Sequence, residues 1–119
     1  MLWRGREMIE KKGKVVLTSR AVVALVELVG RDRLGEMIDE FERLGKADIP
    51  EYSSVEVKNL HVQEDIHYRL RKLRIEKEYR TFDDLLRDIV FSYCVRRVGK
   101  DVLARVLMLA PGGVLYGKG

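Results

Sequence analysis

Cysteine occurs once in the 119 residues, proline and histidine twice each, and tryptophan once. A single thiol excludes an internal disulfide. Cys94 falls on an apolar helical stripe, where it reads as a core filler, and a reducing, cytoplasmic setting is expected. Side-chain amides are as scarce: Asn59 and Gln63 are the only two. Few thermolabile residues beside 35% charged ones make a composition expected of a thermophile.

Blocks of one charge are missing as well. The 23 Lys and Arg exceed the 19 Asp and Glu by a net +4, spread along the chain with no basic tail. That balance permits nucleic-acid contact but leaves the fold, not a polybasic arm, to place the charges. Long apolar runs are absent. Residues 1–14, MLWRGREMIEKKGK, are charged throughout and hold no signal-peptide core, and the uncharged run at 106–116 is shorter than the about 20 residues that cross a membrane. No membrane association is expected. Catalytic sets are missing too. His61 and His67 have no second ligand pair nearby. Gly112-Gly113 follows a helix instead of opening one, the wrong side for a phosphate-cradling loop. Neither a metal, a cofactor nor an enzymatic centre is expected.

What is present is concentrated in residues 57–94, VKNLHVQEDIHYRLRKLRIEKEYRTFDDLLRDIVFSYC. Leu60 and Val62 alternate with Asn59 and His61, the two-residue period of a half-buried strand. Beyond Val62 the period changes, and Ile66, Leu70 and Leu73 form one stripe of an amphipathic helix. Thr81 can cap a second helix, with Asp84 in a capping-box position. Phe82, Leu85, Leu86, Ile89, Val90, Tyr93 and Cys94 give that helix its apolar face. One strand and two helices bury too little surface to stand alone, so the unit requires a partner.

This order of elements resembles the ribbon-helix-helix family of DNA-binding proteins, of the Arc, MetJ and CopG type. In that family two strands pair antiparallel and the ribbon enters the major groove. The resemblance implies that Leu60 and Val62 face the core while Val57, Asn59 and His61 face DNA. Asn59 would pair with adenine and Val57 touch a thymine methyl. Lys58, Arg80 and the backbone amides around Thr81 would position phosphates. Two features depart from the family pattern. The turn Glu78-Tyr79-Arg80 lacks the frequent glycine, which predicts a longer turn. Lys58 takes an inward-facing strand position, which predicts that the ribbon frays before it.

Residues 14–44 read as a degenerate second copy of the same unit. Residues 14–17 favour a strand, Thr18 or Ser19 can cap a helix, Gly30 ends it, and Asp32 can cap the next. Leu17 aligns with Val62, Leu25 with Leu70, Leu28 with Leu73 and Leu34 with Phe82. Met37, Ile38 and Phe41 align with Leu85, Leu86 and Ile89. The helix over 21–29 is apolar nearly all round, which predicts burial on more than one side at the centre of an assembly. The chain thus divides into an arm (1–13), the degenerate unit (14–44), a linker (45–55), the better-formed unit (56–98) and a terminal helix with tail (99–119). That helix is expected to bury Val102, Val106 and Leu109. The carboxylates of Asp32, Glu36, Asp39, Glu40 and Glu42 are expected on a solvated face.

The expected fold is mostly α with a short β-ribbon: ribbon-helix-helix, tandem in one chain if the second copy holds. The expected function is double-stranded DNA binding by a transcriptional regulator such as a repressor. The alternative is an antitoxin-like or structural protein-interaction module, marked by exposed apolar surface at 21–29 or 102–116 that would hold a protein partner. The ribbon can arise in two ways. Strand 57–62 can pair with its symmetry mate in a homodimer and read a pseudo-palindrome, the favoured arrangement, or it can pair with strand 14–18 of its own chain.

Overall fold

Two strands with a two-residue burial period each open a strand–helix–helix run. The computed structural model describes residues 12–17, 19–54, 58–108 and 113–115. Val57, Thr18, Leu109 and the arm carrying Trp3 lie outside the described residues. In chain order come β1 (Lys12–Leu17), α1 (Arg20–Val29), one 3-10 turn (Arg31–Arg33) and α2 (Leu34–Leu44). Then come β2 (Tyr52–Ser54), β3 (Lys58–Gln63), α3 (Glu64–Glu76), α4 (Phe82–Val98), α5 (Lys100–Met108) and β4 (Gly113–Leu115).

β1 pairs antiparallel with β3 of the same chain, placing Lys14 opposite His61, Val15 opposite Leu60 and Val16 opposite Asn59. Of the two arrangements expected for the ribbon, this is the pairing within one chain: β1 occupies the place that the favoured arrangement assigned to a symmetry mate of strand 57–62. The reason lies in the pattern. Val15 and Leu17 share with Leu60 and Val62 one buried apolar face, and a strand tethered in the same chain pairs at high effective concentration. Lys58, expected to point inward, is the first residue of β3, opposite Leu17, and its side chain is exposed.

The buried ribbon face packs on helices. The aligned pairs of the two units agree in burial at Leu17 and Val62, Leu25 and Leu70, Met37 and Leu85, Ile38 and Leu86, and Phe41 and Ile89. α4 is buried on all sides over 88–94, including Phe91 and Ser92, and packs on α1, α2, α3, α5 and β1. It, not α1, holds the centre. α1 buries Ala21, Val22, Val23, Leu25 and Val26 but leaves Leu28 78% exposed, whereas its counterpart Leu73 is 2% exposed.

Several local expectations change. Ser19 accepts the Val22 N–H at 3.1 Å and caps α1, but Asp32 caps nothing, because the 3-10 turn leads directly into α2. α5 buries Leu103 and Leu107 while Val102 and Val106 stay exposed. The linker is not free: the Ala47 N–H donates to Ser92 Oγ (2.9 Å) and Arg96 Nη2 to the Gly45 carbonyl (2.7 Å). Its far end forms β2, which pairs antiparallel with β4, a strand within the expected tail.

The turn between α3 and α4 is short in spite of its missing glycine. The Tyr79 N–H donates to the Arg74 carbonyl (2.9 Å) and the Glu78 N–H to the Ile75 carbonyl (3.2 Å). That bond pair is a Schellman ending, and Glu78 takes its left-handed position at φ 60°. Across the ribbon, the His67 ring of α3 fills the space that a Cβ on Gly13 would need. Two substitutions should therefore move stability in opposite directions in urea unfolding. Glu78→Gly relieves the left-handed strain and should gain about 1 kcal/mol. Gly13→Ala drives a methyl into the His67 ring and should cost about 1–3 kcal/mol.

Candidate nucleic-acid interface

With the helices on one face of the ribbon, the other face carries the exposed side chains of Lys14 and Val16 from β1 and Asn59, His61 and Gln63 from β3. Strand parity alone produces this set, because alternate residues point to opposite faces. Asn59 and His61 stand where the alternation predicts them. Lys14, Val16 and Gln63 are further members of the face. An expected strand end at residue 62 hides Gln63; the register with Lys12 extends the strand by one residue. The chain's only two amide side chains thus share one face with one of its two histidines. The other, His67, is half-buried on α3, its ring 5.8 Å from that of Phe82.

The phosphate-directed candidates are less tightly grouped. Thr81 Oγ1 accepts the Asp84 N–H at 3.1 Å, so its hydroxyl is engaged in capping α4. Arg87 Nη2 donates to Asp84 Oδ1 at 2.7 Å, which binds that carboxylate back onto its own helix. Arg80 is exposed in the turn before the cap, and Lys58 is exposed at the start of β3. A cation missed by sequence reasoning sits at the opposite end: Arg31 lines a cleft of about 230 Å³ with His61, Gln63 and Ile66. It also meets Glu27 in an exposed ion pair at 3.1 Å, a contact of the kind that water screens and a phosphate can displace. The internal alignment gives no signal for Arg31, since matching Leu34 to Phe82 sets Arg31 against Tyr79 and Asp32 against Arg80; only the tertiary fold brings it beside His61.

Of the carboxylates expected on a solvated face, Asp32, Glu36, Asp39 and Glu42 are exposed and Glu40 is not. Glu40 is buried and accepts from Arg97 Nη2 (2.9 Å) and Arg96 Nη1 (3.3 Å) of α4. The Arg97 guanidinium also lies 3.5 Å over the Tyr93 ring, and Tyr93 donates to Glu36 Oε2 at 3.0 Å. Asp39 and Glu42 both meet Arg69 of α3, at 2.6 and 3.1 Å. The hydrogen bond from Arg97, reinforced by that from Arg96, outweighs burial and holds the Glu40 carboxyl below its ordinary value. Burial, with a 2.6 Å hydrogen bond to Asp88, pushes the Tyr79 phenol up. Burial likewise pushes the Cys94 thiol up, which suits a core filler.

A second feature lies away from the ribbon. Leu25 and Leu28 of α1, Cys94 and Val98 of α4, and Val102 and Val106 of α5 line an apolar cleft of about 390 Å³. The apolar segments at 21–29 and 102–108, distant in sequence, meet in this one cleft. Among the described residues no helix is long and apolar enough to cross a membrane. No family model, curated protein or solved structure matches the chain.

The Glu40 contacts generate a pH prediction. A carboxylate whose folded value is depressed stabilises the fold above its unfolded value, near 4.5, and that stabilisation is lost as pH falls through the folded value. Glu40→Gln should cost about 2 kcal/mol at pH 7, the scale of a lost charged hydrogen bond. The gap to the parent protein should stay constant down to about pH 5 and narrow below it, as read from urea unfolding at stepped pH.

Proposed function

We propose that this chain binds double-stranded DNA through its β1–β3 ribbon, as a tandem ribbon-helix-helix protein that regulates transcription, most simply as a repressor. The observation that carries the reading is the composition of the outer ribbon face. An amphipathic ribbon needs only polar residues outside; this one gathers both amides of the chain, a histidine and a lysine. A major groove admits a two-stranded ribbon, and amides, lysines and an apolar β-branched residue are the groups that distinguish base edges. Arg31, Lys58, Arg80 and the amides after Thr81 supply the phosphate contacts of this reading. One chain supplies both strands, so the reading element requires no second copy.

The alternative reading, an antitoxin-like or structural protein-interaction module, draws on the apolar cleft beside Leu28. One titration separates the two. Fluorescence anisotropy with duplex DNA should show affinity that falls as salt rises. Asn59→Ala should cost about 1–3 kcal/mol on a preferred site and little on random duplex. Equal losses on both would show that Asn59 reads no base. Absence of duplex binding even at low salt would overturn the DNA reading and leave the interaction module.

A further inference from the structure

The ribbon is built from two strands that differ in sequence, and its outer face differs from end to end. The aligned units make Lys14 equivalent to Asn59 and Val16 equivalent to His61, with the buried pairs Val15 and Leu60, and Leu17 and Val62, fixing that correspondence. A true two-fold would therefore present the same residue pair at each end. Here one end presents Lys14 beside His61, and the other presents Val16 beside Asn59. All four side chains are exposed. Gln63, also exposed, extends the first end outward.

These pairs differ in what they can recognise. A lysine ammonium has donors only, and guanine offers the two acceptors O6 and N7 on its major-groove edge. His61 can donate to the same N7 acceptor from the facing strand. Asn59 can donate to adenine N7 while accepting from its N6 amine, and Val16 supplies apolar surface for a thymine methyl. The two pairs are two residues apart along the ribbon, about 7 Å at about 3.4 Å per residue, which is roughly two base-pair steps.

We infer that the chain reads a non-palindromic duplex site, with G·C pairs facing Lys14 and His61 and A·T pairs facing Val16 and Asn59 roughly two steps away. The inference rests on the DNA-binding reading above and adds the polarity of the site to it. Arg31, which lines the cleft beside His61 and Gln63, adds a cation at the guanine-reading end, as Lys58, opposite Leu17, does at the other.

The experiment uses the full chain and a randomised duplex library. Selection should return a consensus without two-fold symmetry. Two symmetrised duplexes, each built by inverting one half of that consensus, should bind at least about fivefold more weakly, the scale of a single mismatched pair. Lys14→Ala should relax selection at the G·C positions and leave the A·T positions sharp, and Asn59→Ala should do the reverse. Both residues are exposed, and circular dichroism checks that each variant is folded. A palindromic consensus, or a symmetrised duplex bound as tightly as the selected one, overturns the inference while the DNA reading stands. Enrichment of no sequence, with duplex still bound, overturns it equally. No duplex binding at all removes the DNA reading and this inference with it.

Discussion

The pairing of β1 with β3 is the constraint on which the rest depends. Two strands alone are marginal in water, and these two lie far apart in the chain. The pairing holds because each strand brings half of one apolar face. Val15 and Leu17 meet Leu60 and Val62 in that face, and the helices that follow each strand cover it. Gly13 shows how closely: the His67 ring of α3 rests on β1 backbone. The outer face is thereby left free of packing duties, and Lys14, Val16, Asn59, His61 and Gln63 stand exposed on it.

α4 is the second requirement. It touches both units and the terminal helix, and its burial on all sides makes it the element around which α1, α2, α3 and α5 are arranged. A helix so placed cannot satisfy its few polar groups with water. Ser92 accepts the Ala47 N–H, and Asp88 accepts the Tyr79 hydroxyl. At its C-terminal end Arg96 and Arg97 reach Glu40 on α2, near the negative end of the α4 dipole, where cations are favoured. The ion pairs thus tie the degenerate unit to the better-formed one at the end of α4, while apolar contacts do so along its length.

The patterns that repeat within a few residues are legible in the sequence: the strand period, the stripes of α2, α3 and α4, the caps at Ser19 and Thr81, and the stop at Gly30. What is not legible depends on contacts distant in sequence. An alternating strand states that it has a buried face but not which strand adjoins it, so β3 suits a symmetry mate as readily as β1. On α5, Val102 and Leu103 form one adjacent apolar pair, and Val106 and Leu107 another. Either member of each pair makes a stripe, and packing on α4 selects Leu103 and Leu107. Glu40 looks solvated because a helix heptad shows its own charges and not the arginines opposite. On the candidate interface, Asn59 and His61 follow from parity, but Lys14 and Val16 become their neighbours only through the pairing.

The two strand–helix–helix runs match unequally, and where they differ is informative. Core positions kept their burial through changes such as Phe41 against Ile89, since volume and polarity are all the core asks of them. Phe82 is only half-buried where Leu34 is buried, and the other exceptions lie at surfaces. Leu28 is exposed where Leu73 is buried, because α5 and α4 open a cleft beside the first unit. Lys14 stands where Asn59 would match it, and Val16 where His61 would. A homodimer cannot make that second kind of change, since one substitution alters both halves of its ribbon together. Joining two units in one chain removes that restraint: each strand can change its outer residues separately while the buried residues keep the register. The fold therefore permits an outer ribbon face that differs from end to end, and Lys14 beside His61 at one end and Val16 beside Asn59 at the other give it that difference.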